Sequence, residues 1–177
     1  VNGLSLYYEI HGDGAPLILL HGGGGATGMF GALLPTLTAV RQVIAVDLRA
    51  HGRTADIDRP LRIEHMADDI AALIAHLGLS SATVMGYSLG GAVATQTAIR
   101  HASVVDKLIV VSTPYKRDGC YPASRAAMDQ MNAGAAEFLK QTPMYELYAA
   151  IAPRVEDWPV LWGKMGDLLR QDYDWSE

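Results

Sequence analysis

The stretch Thr83-Val84-Met85-Gly86-Tyr87-Ser88-Leu89-Gly90-Gly91 decides how this chain is read. Residues 83–85 have the character of a short strand, and residues 89–101 form a helical run of small residues. Between them stands a G-x-S-x-G pattern. A serine on a sharp strand-to-helix turn takes strained backbone angles and lifts its hydroxyl above the sheet. Side chains two residues before or after it would collide there, which calls for Gly86 and Gly90. The following helix points its N-terminus at the hydroxyl and favours negative charge developing beside it. Ser88 is therefore the candidate nucleophile. The competing reading is a plain Gly/Ser turn, and the strand before and helix after the motif weigh against it.

Working outward, residues 17–20, 43–46 and 108–111 are continuous apolar runs, the pattern of strands buried on both faces. Leu4, Leu6, Tyr8 and Ile10 alternate with more polar neighbours, which predicts a half-buried strand, with a hairpin-type turn at Asn2-Gly3 before it. Ile63, Met66, Ala67, Ile70, Leu73, Ile74 and Leu77 share one helical face that ends at Gly78. Strands alternating with helices predict parallel βα units in a three-layer α/β domain with a mostly parallel sheet. The character changes at Tyr115. Eight of the thirteen aromatic residues, including all three tryptophans, lie in residues 116–177. There residues 126–131, 135–139, 144–151 and 157–169 read as helices with bulky apolar faces. The expected organisation is a core over residues 1–115 and a helical segment over residues 116–177.

Composition narrows the function classes. The chain has 177 residues, half of them hydrophobic and 19% charged, with a net charge of −5 and one cysteine, Cys120. A disordered tail and a disulfide scaffold are excluded. The absence of a basic stripe argues against a nucleic-acid partner. No apolar run approaches the ~18 residues of a membrane-spanning helix. With no secretory-leader pattern at the N-terminus, a cytoplasmic location is expected. No metal-ligand spacing such as H-E-x-x-H occurs, so no metal is expected; no cofactor is expected either.

A second motif is His21-Gly22-Gly23-Gly24, directly after a buried strand. Acyl transfer passes through a tetrahedral oxyanion, and backbone N–H groups held in place stabilise it. Gly23 is the first choice of donor, with Gly24 second, paired with the N–H of Leu89 beside the nucleophile. By itself the loop reads equally well as a flexible connection. Gly23-Gly24-Gly25-Ala26-Thr27-Gly28 is also a literal G-x-G-x-x-G, with Asp47 about 20 residues further on, which is the fingerprint of dinucleotide binding. Three features oppose that reading. A Rossmann domain usually opens with the strand that leads into the glycine loop, whereas here a hairpin precedes that strand; the pattern overlaps His21 and four consecutive glycines; and it leaves Ser88 without a role.

The glycine loop, the run Asp47-Leu48-Arg49-Ala50-His51-Gly52-Arg53-Thr54 and the Ser88 motif, each following a strand, together resemble the α/β-hydrolase superfamily, in its serine esterase and lipase branch. The middle run is similar to that family's D-x-R-G-H-G-x-S, with Ala50 in place of a glycine and Thr54 in place of a serine. The resemblance covers roughly residues 4–112. It implies a serine esterase-type mechanism. It also implies that Asp47, Arg49 and His51 are structural, that His21 shapes the oxyanion loop, and that the segment after Tyr115 is a cap.

A serine nucleophile needs a base, and the base needs an orienting carboxylate. In this fold they follow in the order serine, acid, histidine. The only histidine after Ser88 is His101. It lies 13 residues on along the same helix, hence about 20 Å away at 1.5 Å per residue. After residue 111 the nearest carboxylate is Asp118, several residues into the helical segment, which is no better placed. The expectation is a chain truncated at both ends, with the final strands, the acid and the histidine beyond residue 177, and inactive by itself. The apolar strand at residues 108–111 then ends the sheet as an open edge, which a second chain or a second copy would cover.

The helical segment carries many apolar side chains, most of which should pack within it. Met128, Tyr145 and Trp162 from that segment, with Gly24 and Tyr87 beside the nucleophile, are the candidates for a substrate pocket. No charged group stands out to read a carboxylate or phosphate. The expected activity is hydrolysis of carboxylic ester bonds in small apolar substrates. A non-catalytic binding protein on the same fold is the alternative from another class. Lactone, C–C and perhydrolysis chemistry remain open on the same nucleophile.

Overall fold

The apolar runs at residues 17–20, 43–46 and 108–111 all lie within strands. The structure, a computed structural model, describes residues 1–176. Strands β1 (Tyr8–His11), β2 (Pro16–Leu20), β3 (Gln42–Val46), β4 (Ala82–Tyr87) and β5 (Val105–Val111) make one sheet in the order β1-β3-β2-β4-β5. The β2–β3, β2–β4 and β4–β5 pairs are parallel, and β1 runs antiparallel to β3.

Alternation along each strand sorts the side chains between two faces. Ile18, Leu20, Ile44, Val46 and Val84 meet helices α2 (Ile63–His76) and α3 (Leu89–Arg100) in the larger core. Leu17, Leu19 and Val43 meet Phe30 and the short helix α1 (Leu34–Thr38) on the other face. This is the three-layer α/β arrangement, with the two central parallel strands, β2 and β4, delivering their C-terminal ends side by side at Leu20 and Gly86.

Two strand expectations change. Residues 4–7 precede the pairing, which begins at Tyr8, and Ile10 is 48% exposed although its alternation predicted burial. β1 is an edge strand, so one of its faces has less to pack against. Asn2 and Gly3 form the expected turn, both at positive φ (48° and 76°), with the Leu4 N–H donating to the Val1 carbonyl at 2.7 Å. β5 starts at Val105, and its residues 108–111 are each about two-fifths exposed at the opposite sheet edge.

After Tyr115 come α4 (Pro122–Gln130), α5 (Ala135–Leu139), α6 (Pro143–Ile151) and α7 (Trp158–Leu169). α4 begins four residues earlier than expected because Pro122 serves as its first residue, where a missing N–H costs nothing. Trp158 is the centre of this segment. It is fully buried, its Nε1 donates to the Ala136 carbonyl at 2.9 Å, and the rings of Tyr145, Tyr148 and Trp162 lie 5.0–5.4 Å from it. The chain then returns to the segment's start: the Arg117 N–H donates to the Tyr173 carbonyl at 3.0 Å, and the Trp175 N–H to the Tyr115 carbonyl at 2.9 Å. Glu177, the last residue of the helical segment, lies outside the described residues. No described helix is long and apolar enough to cross a membrane.

Two glycines in α7 make opposite predictions. A Cβ at Gly163 would meet only the Ala133 Cβ, at an ordinary 3.6 Å, whereas one at Gly166 would overlap the Met131 carbonyl. Gly163→Ala should stabilise the protein by about 0.5–1 kcal/mol through helix propensity, seen as a rise of about 2–4 °C in the thermal midpoint. Gly166→Ala should lower it. A fall for both would refute the propensity argument.

Candidate active site

Ser88 sits between the last residue of β4 and the first of α3, at φ 51° and ψ −117°. A non-glycine residue in such a region stores on the order of 1–3 kcal/mol of strain and needs its surroundings to hold it. They do so from three sides. The Ser88 N–H donates to the Val111 carbonyl at 2.9 Å. Its carbonyl accepts from the Thr113 hydroxyl at 2.6 Å and from the Ala92 N–H at 3.1 Å. Gly86 and Gly90 are needed for room: a Cβ on Gly86 would overlap the Gly90 carbonyl, and one on Gly90 the carbonyls of Leu20 and His21.

The loop after β2 faces this turn. A Cβ at Gly23 would lie 4.0 Å from Leu89 Cδ2, so the loop approaches the residue after Ser88. The N–H of Leu89, in the first turn of α3, has no acceptor within the helix. Behind the loop, His21 is fully buried with both ring nitrogens engaged. Nδ1 donates to the Gly22 carbonyl at 2.7 Å and Nε2 accepts from the Leu48 N–H at 3.0 Å. Burial pushes its pKa down to about 4, so the ring is neutral and structural. The ring of His51 lies 5.2 Å from it, held by Nδ1 donating to the Arg49 carbonyl at 2.9 Å, and burial pushes that pKa down to about 3.

A cavity of about 260 Å³ opens over Ser88. Of the sequence-derived candidates, Ser88, Gly23, Leu89, Met128 and Trp162 line it. Gly24, Tyr87 and Tyr145 do not. Gly24 is covered by Met144 and Trp162, Tyr87 lies against Gly22 and is exposed, and Tyr145 turns its ring onto Trp158. Sequence reasoning missed Thr113 and Tyr173, which the β5 end and the returning chain bring in, and Arg117. Arg117 is the one ionised side chain in the lining, and its guanidinium is paired with Asp129 and directed at the Leu169 carbonyl. Nothing in its sequence context marks it as a cavity residue.

Residues 15–150 match the family model for the α/β-hydrolase fold. The chain belongs to that family. It is 30% identical over 144 residues to "Putative carbamate hydrolase RutD" of Azorhizobium caulinodans, covering 79% of this chain and 54% of that protein. It is 33% identical over 114 residues to a soluble epoxide hydrolase of a Corynebacterium species, covering 63% of this chain and 39% of that protein. Among solved structures, a hydrolase from Pseudomonas aeruginosa superimposes with a TM-score of 0.69 at 26% identity, covering 97% of this chain and 71% of that one. The chain therefore spans about half the length of the curated relative with the longer match.

Within the α/β-hydrolase frame the Asp47 run is scaffolding. One carboxylate oxygen of Asp47 accepts the Thr27 N–H at 2.6 Å and the other accepts the Arg53 N–H at 2.8 Å. Ala50 stands at φ 67°, the left-handed conformation that suits the glycine it replaces. This overturns the dinucleotide reading. The glycine loop leads only into a four-residue 3₁₀ turn at Thr27–Phe30, not into the N-terminus of a long helix, and the Asp47 carboxylate is consumed by the backbone and fully buried. His101 closes α3, with Nε2 2.7 Å from Asp68 and far along the helix from Ser88.

Proposed function

We propose that the whole protein is a serine hydrolase whose nucleophile is Ser88 and whose cap is the helical segment after Tyr115. The observation that carries this is Ser88 itself: a non-glycine residue held at φ 51° on a strand-to-helix turn, opening onto a largely apolar cavity. In this reading Ser88 Oγ attacks the carbonyl carbon of the substrate and its proton passes to a base. The carbonyl oxygen becomes an oxyanion that accepts hydrogen bonds from the N–H groups of Gly23 and Leu89. Collapse expels the alcohol, leaving an acyl group on Ser88 that water then removes. The base and its acid come from the part of the protein outside these residues, in keeping with the share of the relatives' length that the chain spans.

The substrate class is a small uncharged ester. Apart from Arg117, whose charge Asp129 offsets, the lining is neutral and dominated by Ile63, Leu89, Ala92, Met128, Trp162, Met165, Leu168 and Leu169. A carbamate is the second reading, supported by the name of the Azorhizobium relative, and the same attack and oxyanion serve it. The test uses the full-length protein. A fluorophosphonate probe should label it, and Ser88→Ala should remove the label and lower ester hydrolysis by about 10³-fold or more. An intact protein that takes no label would favour the non-catalytic binding protein instead.

A further inference from the structure

Lys164 of α7 is bonded at all three of its donors. Its ammonium reaches Asp56 Oδ2 at 2.5 Å and the carbonyls of Ile57 and Arg59 at 3.1 Å each. All three acceptors belong to the loop between β3 and α2. Asp56 in turn faces the buried Arg49, whose Nε lies 3.5 Å from Oδ1 and whose Nη2 donates to the same Arg59 carbonyl at 3.0 Å. Among the described residues, Lys164 makes every side-chain hydrogen bond and ion pair that crosses from the helices after Tyr115 to the sheet domain. At the glycine loop the helices bring apolar side chains: Met165 covers Gly23, Met144 and Trp162 cover Gly24, and Leu147 approaches Gly28.

That division of labour has a consequence. Apolar burial is non-directional, and methionine in particular tolerates sliding. Such contacts hold the cap close without fixing its register. An ammonium bonded at three points to a carboxylate and two backbone carbonyls does fix it. The helix so fixed carries Trp162, Met165, Leu168 and Leu169 into the wall of the cavity over Ser88. Lys164 is also a quarter exposed, so water can take over its bonds when the cap lifts.

We propose that Lys164 is a positioning residue, a polar latch that sets the register of α7 over the cavity and so determines which substrates fit beneath the cap. The proposal rests on the hydrolase reading above. Asp56→Asn is the wrong test, because it strips the buried Arg49 of its counter-ion. Lys164→Met keeps the aliphatic stem and removes only the latch, and Lys164→Arg keeps a cation.

In the full-length enzyme, Lys164→Met should raise KM for p-nitrophenyl acetate about 10-fold while kcat changes less than about 2-fold, the signature of lost uniform binding. The preference should shift toward p-nitrophenyl octanoate, and Lys164→Arg should recover part of the KM. Raising the salt should increase KM in the wild type and leave the Met variant unmoved. An unchanged KM with only a lower thermal midpoint would overturn the latch, as would equal losses in kcat and kcat/KM. Amide exchange tests it independently of activity. Residues 158–169 should exchange about 10-fold faster in Lys164→Met, with α2 and α3 unaffected. Unchanged exchange overturns the latch even if the protein proves not to be a hydrolase, and fluorophosphonate labelling of the wild type reports separately on Ser88.

Discussion

Gly90→Ala is expected to destabilise the protein by about 3–5 kcal/mol or to prevent its folding altogether. The methyl group would overlap the carbonyls of Leu20 and His21, which are backbone atoms at the end of β2. No side chain can rotate away to make room. Relief would have to come from shifting Leu20, which is paired with Gly86 across the parallel β2–β4 ladder, or from displacing the loop that carries Gly23. Gly86→Ala should behave alike, since its Cβ would strike the Gly90 carbonyl and the Gly91 nitrogen. Gly31→Ala is the control. That residue has φ −47°, and the nearest atom to its added Cβ is 3.6 Å away. Denaturant unfolding of the three variants checks the ranking. A Gly90→Ala protein within about 1 kcal/mol of wild type would mean that the turn at Ser88 is not held as described.

Acid should unfold the protein well above the carboxylate range. His21 and His51 are buried as neutral rings, with pKa values of about 4 and about 3 against 6.5 for a free histidine. A histidine whose folded pKa is depressed stabilises the fold fully above its unfolded pKa. That contribution is lost as pH falls from 6.5 toward the folded values, because only the unfolded chain takes up the protons. With two such rings the loss reaches on the order of 4 kcal/mol by pH 5, a large part of the ~5–15 kcal/mol that typically stabilises a domain. Carboxylates such as Glu9 and Asp68, held below their ordinary values by partners, add losses only in more acidic solution. Unfolding free energy measured at pH 7.5, 6 and 5 should fall steeply across that range, with a slope approaching two protons. His51→Asn, whose amide can replace the bond to the Arg49 carbonyl, should halve the slope. A flat profile between pH 7 and 5 would show that the rings are not buried as neutral groups.

Much of the frame was legible because it depends on local rules. Residues 17–20 and 43–46 are apolar throughout, and they became the buried strands of a parallel sheet. The α2 face read from Ile63 to Leu77 is the face that packs, with Met66, Ala67, Ile70, Leu73 and Ile74 buried. The G-x-S-x-G spacing is a steric statement about residues two apart, so five residues suffice to state it. Ile10 failed for the opposite reason: alternation says which side of a strand is apolar, but not whether anything lies against it.

The cavity was harder to read. Tyr145 and Trp162 are both bulky, aromatic and helical, and nothing in the sequence tells that one serves Trp158 while the other reaches the cavity. Arg117 looks like an ordinary surface cation until the returning chain at Tyr173 encloses it. By itself the sequence determined the α/β class, the position of Ser88 and the glycines that make its turn possible, since each rests on contacts within a few residues. The tertiary structure alone decided which side chains surround Ser88 and how the helices above it are held. Lys164 meets Asp56 across 108 residues of chain, and periodicity reports that a residue is buried or exposed, never which distant partner it will meet.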